Sequence, residues 1–184
     1  MALASNAGVS ATRFGRQGQL LLHNRPARIG AEAAILSREV PARLELLRAI
    51  ERKVLWLATW TIHNANHLRK NRDGLKVGGH QASCASAATL MTALYFHSLR
   101  PEDRVAVKPH AAPVLQAIEY LLGRQSRSAL EKFRAFGGAQ SYPSRTKDTM
   151  PVDFSTGSVG LGVGITLFAS LVQDYVRLHG LTPT

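Results

Sequence analysis

Arg104-Val105-Ala106-Val107-Lys108, followed by Pro109-His110, is the stretch on which the fold turns. Its valines alternate and it is bounded by Asp103 and Pro109, the period-two pattern of a short strand. Helical patterns flank it on both sides, so a strand here makes the chain α/β, helix-rich with a parallel sheet. The expected strand ends at His110, and open α/β sheets place their ligands at the carboxyl ends of strands.

On the amino-terminal side, Leu44, Leu47, Ile50, Val54, Leu57 and Ile62 recur at steps of three to five residues, predicting one helix from Pro41 to Asn71. Pro41 is suited to open it, and Asn71-Arg72-Asp73-Gly74 to stop it. The turn Val77-Gly78-Gly79-His80 then leads into a helix of small residues, Ala82 to His97. Beyond the strand, helices are expected at Ala112 to Leu122 and at Ser126 to Phe136, the latter stopped by Gly137-Gly138. Pro143 and Pro151 make 139–154 a loop. A last helix, starting at Ser155 or Ser158, closes at His179-Gly180. The organisation is a flexible basic leader over 1–40 and one unit over 41–184.

The 184 residues carry 23 Lys and Arg against 12 Asp and Glu, a formal charge of +11 that favours acidic partners. Cys84 is the single cysteine, which excludes an intrachain disulfide and a cysteine-rich metal cluster. The apolar stretch Val159 to Leu171 is interrupted by glycines and falls short of the ~20 residues of a membrane helix, so no membrane partner is expected. Arg13, Arg16, Arg25 and Arg28 precede the first acidic residue, Glu32. That leader fits a cytoplasmic protein, with the mitochondrial matrix as the alternative.

Three glycine-marked segments are candidates for chemistry. In Gly78-Gly79-His80-Gln81-Ala82-Ser83, a turn presents an imidazole at a helix start, where free N–H groups meet polar ligands. His110 stands at the strand end. Thr156-Gly157-Ser158-Val159-Gly160-Leu161-Gly162 enters the last helix, but its spacing is not the dinucleotide fingerprint. Each taken alone reads equally well as packing. His63 and His67 are one turn apart, yet Asn64, Ala65 and Asn66 between them supply no general-base glutamate, so no metal site is expected. Cys84, among small residues, reads as a packing thiol.

Taken in order, GGHQAS at 78–83, Pro109-His110, Ser141-Tyr142-Pro143 and TGSVGLG at 156–162 resemble the front of the thiamine-diphosphate-dependent transketolase family. The resemblance covers about Leu44 to Gly180. It is closest to the homodimeric type of pyruvate dehydrogenase decarboxylating component and to transketolase-like enzymes built the same way. It implies that His80 and His110 are catalytic, moving protons and holding substrate oxygens. It also implies that Ser83, Gly157, Val159 and Gly160 lie against the cofactor and that Tyr142 and Arg145 meet the substrate. Thiamine diphosphate and magnesium are the implied cofactors, and the substrate is a keto acid or a sugar phosphate.

Two departures from the family pattern stand out. After Tyr142-Pro143 the relatives often carry a histidine, where this chain has Ser144-Arg145-Thr146-Lys147, cations suited to an acidic substrate. The acidic magnesium motif that follows the last helix in the family is not among these 184 residues. The resemblance therefore implies an amino-terminal fragment, inactive alone, that completes its centre as a homodimer or with a separately encoded remainder. The competing expectation is a basic, non-catalytic module for nucleic acid or another polyanion. Against it, the arginines are dispersed and no aromatic platform interleaves with them.

Overall fold

The structure is a computed structural model describing residues 25–70 and 73–181, with side chains from residue 40 onward. Residues 1–24 of the expected leader, and Asn71 and Arg72 of the expected helix stop, lie outside the described residues. Five α-helices carry the fold: α1 (Arg25–His63), α2 (Gln81–Ala93), α3 (Ala112–Leu121), α4 (Arg127–Glu131) and α5 (Leu161–Leu178). By contacts the chain divides between Leu46 and Leu47. In the first unit Val40, Leu44 and Leu46 are exposed.

Pro41 lies inside α1 and does not open it, because the helix begins at Arg25. α1 and α2 each end in a wide π turn, Asn64–Leu68 after α1 and Leu94–Ser98 after α2. The core is built where helical spacing turns apolar residues inward: Val54, Ala58 and Ile62 of α1, Cys84 and Met91 of α2, and Val114, Leu115 and Ile118 of α3, with Phe133 and Met150 from the later turns. Small residues on α2 let these helices approach closely. Burying a Leu, Ile or Phe side chain contributes roughly 1.5–3 kcal/mol, and Leu115, Ile118 and Phe133 are buried in this core.

The expected α/β sheet is not there. Among the described residues no strand forms, and Arg104 to Lys108 runs as unpaired chain. The reason lies in its hydrogen bonds. The Val105 N–H donates to Asp153 Oδ2 at 2.9 Å, and the Val107 carbonyl accepts from the Thr156 hydroxyl. Side chains take the positions that a neighbouring strand would fill, so alternating valines report half-burial without reporting a sheet. The extended run still delivers Pro109–Ala111 into a 3₁₀ turn that opens α3.

The Ser126 cap forms as expected, its hydroxyl accepting the Ala129 N–H at 3.1 Å, but α4 stops at Glu131, well short of Phe136. α5 starts at Leu161, behind Gly160 in the left-handed region, and no residue of it is buried. Its 18 residues are long and apolar enough to cross a membrane by length and composition, whereas the Val159 to Leu171 stretch in the sequence fell short.

Candidate functional site

The turn bearing His80 is fixed from three sides. Asn66, in the π turn after α1, accepts the Gly78 N–H at 2.9 Å and donates its carboxamide to the Gly78 carbonyl at 3.0 Å and the Ile62 carbonyl at 2.8 Å. Ile62 fills the space beside Gly79, where an added Cβ would lie 2.8 Å from Ile62 Cγ2. Gly78 and Gly79 have φ of +78° and +134°, which other residues resist. From the opposite side Arg134 donates Nη1 to the Val77 carbonyl.

His80 then caps α2, and its carbonyl accepts the Cys84 N–H at 3.0 Å. His110 comes from the far side of the sequence on the 3₁₀ turn. The two imidazoles meet with ring centroids 4.5 Å apart and planes inclined at 58°. His110 Nδ1 is buried with no hydrogen-bond partner among the described residues. Most buried polar atoms have partners, so this nitrogen marks a position for a further donor or acceptor. The Cys84 thiol donates to the His110 carbonyl at 3.5 Å, bracing the second imidazole from α2. Burial pushes that thiol up to about 11, so it stays protonated near neutrality and serves packing, as the sequence implied.

The tyrosine loop and the glycine-rich segment form a second group. The Thr156 N–H donates to the Pro143 carbonyl at 3.1 Å, and Gly157 lies beside the Tyr142 ring, 3.8 Å from Cδ1 to the position of an added Cβ. Because the Thr156 hydroxyl also bonds Val107, it ties this group to the run carrying His110. Asp148 accepts the Ser144 N–H at 2.8 Å and, from α3, Gln116 Nε2 at 3.4 Å, which folds the loop back on the core. Gly162 packs on Ala106, an added Cβ lying 3.5 Å from its methyl.

The remaining candidates are placed unevenly. Ser83 is half-buried in the first turn of α2, its carbonyl accepting the Ser86 hydroxyl. Gly160 provides the left-handed residue, φ +84°, that starts α5. Val159 is 85% exposed and touches neither histidine nor Tyr142. Arg145 is held through its backbone by Ser155 Oγ at 3.0 Å, with its side chain in solvent. Asn66 and Arg134 position the site without being candidates in the sequence, since their partners lie far along the chain. A turn glycine twelve residues from an asparagine carries no periodic signal.

His63 and His67 stack with centroids 4.9 Å apart on the π turn, but no group of three metal-ligating side chains exists among the described residues. A hollow of about 240 Å³ between Tyr95, Glu119, Arg124 and Asp153 is bordered by Pro143 of the tyrosine loop but by neither His80 nor His110. There buried Glu119 accepts Arg124 Nε and Nη2 at 2.5 and 2.8 Å. Burial, with Glu119 and Asp153 nearby, raises the Tyr95 phenol above its ordinary range.

No family model matches the chain. It is 31% identical over 155 residues to the pyruvate dehydrogenase E1 component of Escherichia coli, covering 79% of this chain and 17% of that protein. To the same component of Cupriavidus necator it is 33% identical over 152 residues, and to that of Haemophilus influenzae 32% over 145. The chain spans about a sixth of the length of these relatives. Over roughly three quarters of its own residues the chain is therefore related to one stretch of the pyruvate dehydrogenase E1 component.

Proposed function

We propose that these residues form the histidine-bearing wall of a thiamine-diphosphate-dependent 2-keto acid dehydrogenase, with the rest of the active centre supplied by further chain. The apposition of His80 and His110 carries this reading. Two imidazoles from distant segments share one position, and one of them keeps a buried nitrogen without a partner. The relatives' name, pyruvate dehydrogenase E1 component, supports a keto acid over a sugar phosphate as substrate.

The residues present fit the cofactor. The unpartnered His110 Nδ1 offers it or its substrate a polar contact, and Gly157 and Gly160 bring bare backbone to the start of α5. When bound, thiamine diphosphate supplies the carbanion and the electron sink. The imidazoles of His80 and His110 are suited to pass protons to and from the substrate's oxygen. Ser83 stands one helical turn into α2, on the element that carries His80. Magnesium needs oxygen ligands, usually one or two carboxylates with the phosphates, and we assign those to the remainder of the enzyme.

Replacing the matched stretch of the Escherichia coli component with this chain tests the reading. The chimera is expected to decarboxylate pyruvate with added thiamine diphosphate, the 184-residue chain alone to be inactive, and His80→Ala or His110→Ala each to cost about 10²–10⁴-fold in kcat. Turnover by the isolated chain overturns the need for further residues. A folded chimera that ignores the cofactor overturns the reading itself.

A further inference from the structure

We propose that Arg134 is an anion-binding residue, whose guanidinium receives a carboxylate or phosphate in the surface hollow it shares with Tyr142. This rests on the keto-substrate reading above and names the group that recognises the substrate's charge. Arg134 is the one non-glycine residue with positive φ, +60°, among those described. Such a conformation is unfavourable for an ordinary side chain and persists only where its surroundings enforce it. Here the Arg134 N–H donates to the Ala139 carbonyl at 3.0 Å, within the turn that follows α4.

That conformation sends the side chain back across the histidine turn. Nη1 binds the Val77 carbonyl and stands 3.0 Å from where a Cβ on Gly78 would lie, so the bare glycine makes room for it. Its Cζ sits 5.4 Å from the centroid of the buried Phe133 ring, a cation–π contact. The guanidinium is thus anchored at one nitrogen and one face. Its Nε and Nη2 have no hydrogen-bond partner, and no carboxylate pairs with it, among the described residues.

Arg134, itself exposed, borders an open surface hollow of about 480 Å³ lined also by Val77, Ala135, Gln140, Ser141 and Tyr142. No acidic side chain lines it. A guanidinium with its Nε–Nη2 edge free binds carboxylate or phosphate through paired hydrogen bonds, and the phenol and hydroxyl of the Ser141-Tyr142 edge add neutral donors. Arg145, the cation the sequence pointed to, has no comparable anchoring of its side chain.

The test is an NMR titration of the 184-residue chain with pyruvate and, separately, inorganic phosphate, against sodium chloride at matched ionic strength. Saturable shifts are expected at Arg134 Nε and at the Val77, Ser141 and Tyr142 amides. Arg134→Lys is expected to weaken binding about tenfold by losing the paired geometry, and Tyr142→Phe to weaken it less without disturbing the turn. A response to pyruvate or to phosphate supports the site and identifies the source of the anion. Overturning results are no saturable shift, shifts centred on Arg145, or equal binding in Arg134→Lys and Arg134→Gln. Because the titration needs no turnover, it can fail while the chimera succeeds, or the reverse.

Discussion

The carboxamide of Asn66 closes on both backbone groups of Gly78, accepting its N–H at 2.9 Å and donating to its carbonyl at 3.0 Å. Two hydrogen bonds from one side chain fix the peptide units on either side of the Gly78 Cα, two residues before His80. Asn66→Ala is expected to destabilise the chain by about 1–3 kcal/mol. It should also raise hydrogen exchange at the Gly78 amide more than at the core amides of α3. Equal protection in wild type and variant would show that the turn holds without Asn66.

The space beside Gly79 yields a steric prediction. An alanine there must accept φ of +134° and a contact 2.8 Å from Ile62 Cγ2. Gly79→Ala is expected to cost more than about 1 kcal/mol, the ordinary scale of a compatible glycine substitution. In a denaturant-unfolding cycle with Ile62→Ala, removal of Cγ1, Cγ2 and Cδ1, the atoms an added Cβ would meet, should relieve only the steric part. A strictly additive cycle would separate Gly79 from Ile62.

Cys84 supplies a pH prediction. Its folded pKa, raised by burial from 9.0 to about 11, means that the native state holds the thiol proton more tightly than the unfolded chain. The stabilisation is fully present below pH 9 and is lost as pH rises from there through about 11. A shift of this size corresponds to about 2–3 kcal/mol. Cys84→Ala should flatten the alkaline part of the stability curve, measured by urea unfolding from pH 8 to pH 11. An unchanged slope there would assign the loss to other groups, Tyr95 first among them.

Legibility in the sequence followed the range of the interactions. Helices with many apolar repeats were readable, as was the Ser126 cap, whose partner is three residues away. The strand was misread because Val105 and Val107 report burial, while what pairs with their backbone, Asp153 and Thr156, lies nearly fifty residues on. The early stop of α4 was missed because the helical pattern continues past Glu131 while Arg134 turns left-handed to reach Val77. His80 and His110 were visible through the glycines and proline beside them. That they meet is a property of the packing of α2 against α3, which no single segment contains.

α5 carries the last prediction. Leu167, Phe168, Leu171, Tyr175 and Leu178 form one stripe along it and are 58%, 68%, 55%, 57% and 83% exposed. An apolar stripe of this length in water favours self-association. Leu167→Glu with Leu171→Glu is expected to reduce association of the isolated chain in sedimentation velocity. Stability should stay within about 0.5 kcal/mol per site, because neither side chain packs on the core. In the chimera, where the rest of the enzyme is present, the same pair should lower activity if protein covers the stripe. Vesicle flotation separates the other covering: wild-type chain that floats with neutral lipid, and loses this with the two glutamates, would assign α5 to a bilayer and remove it from the protein interface.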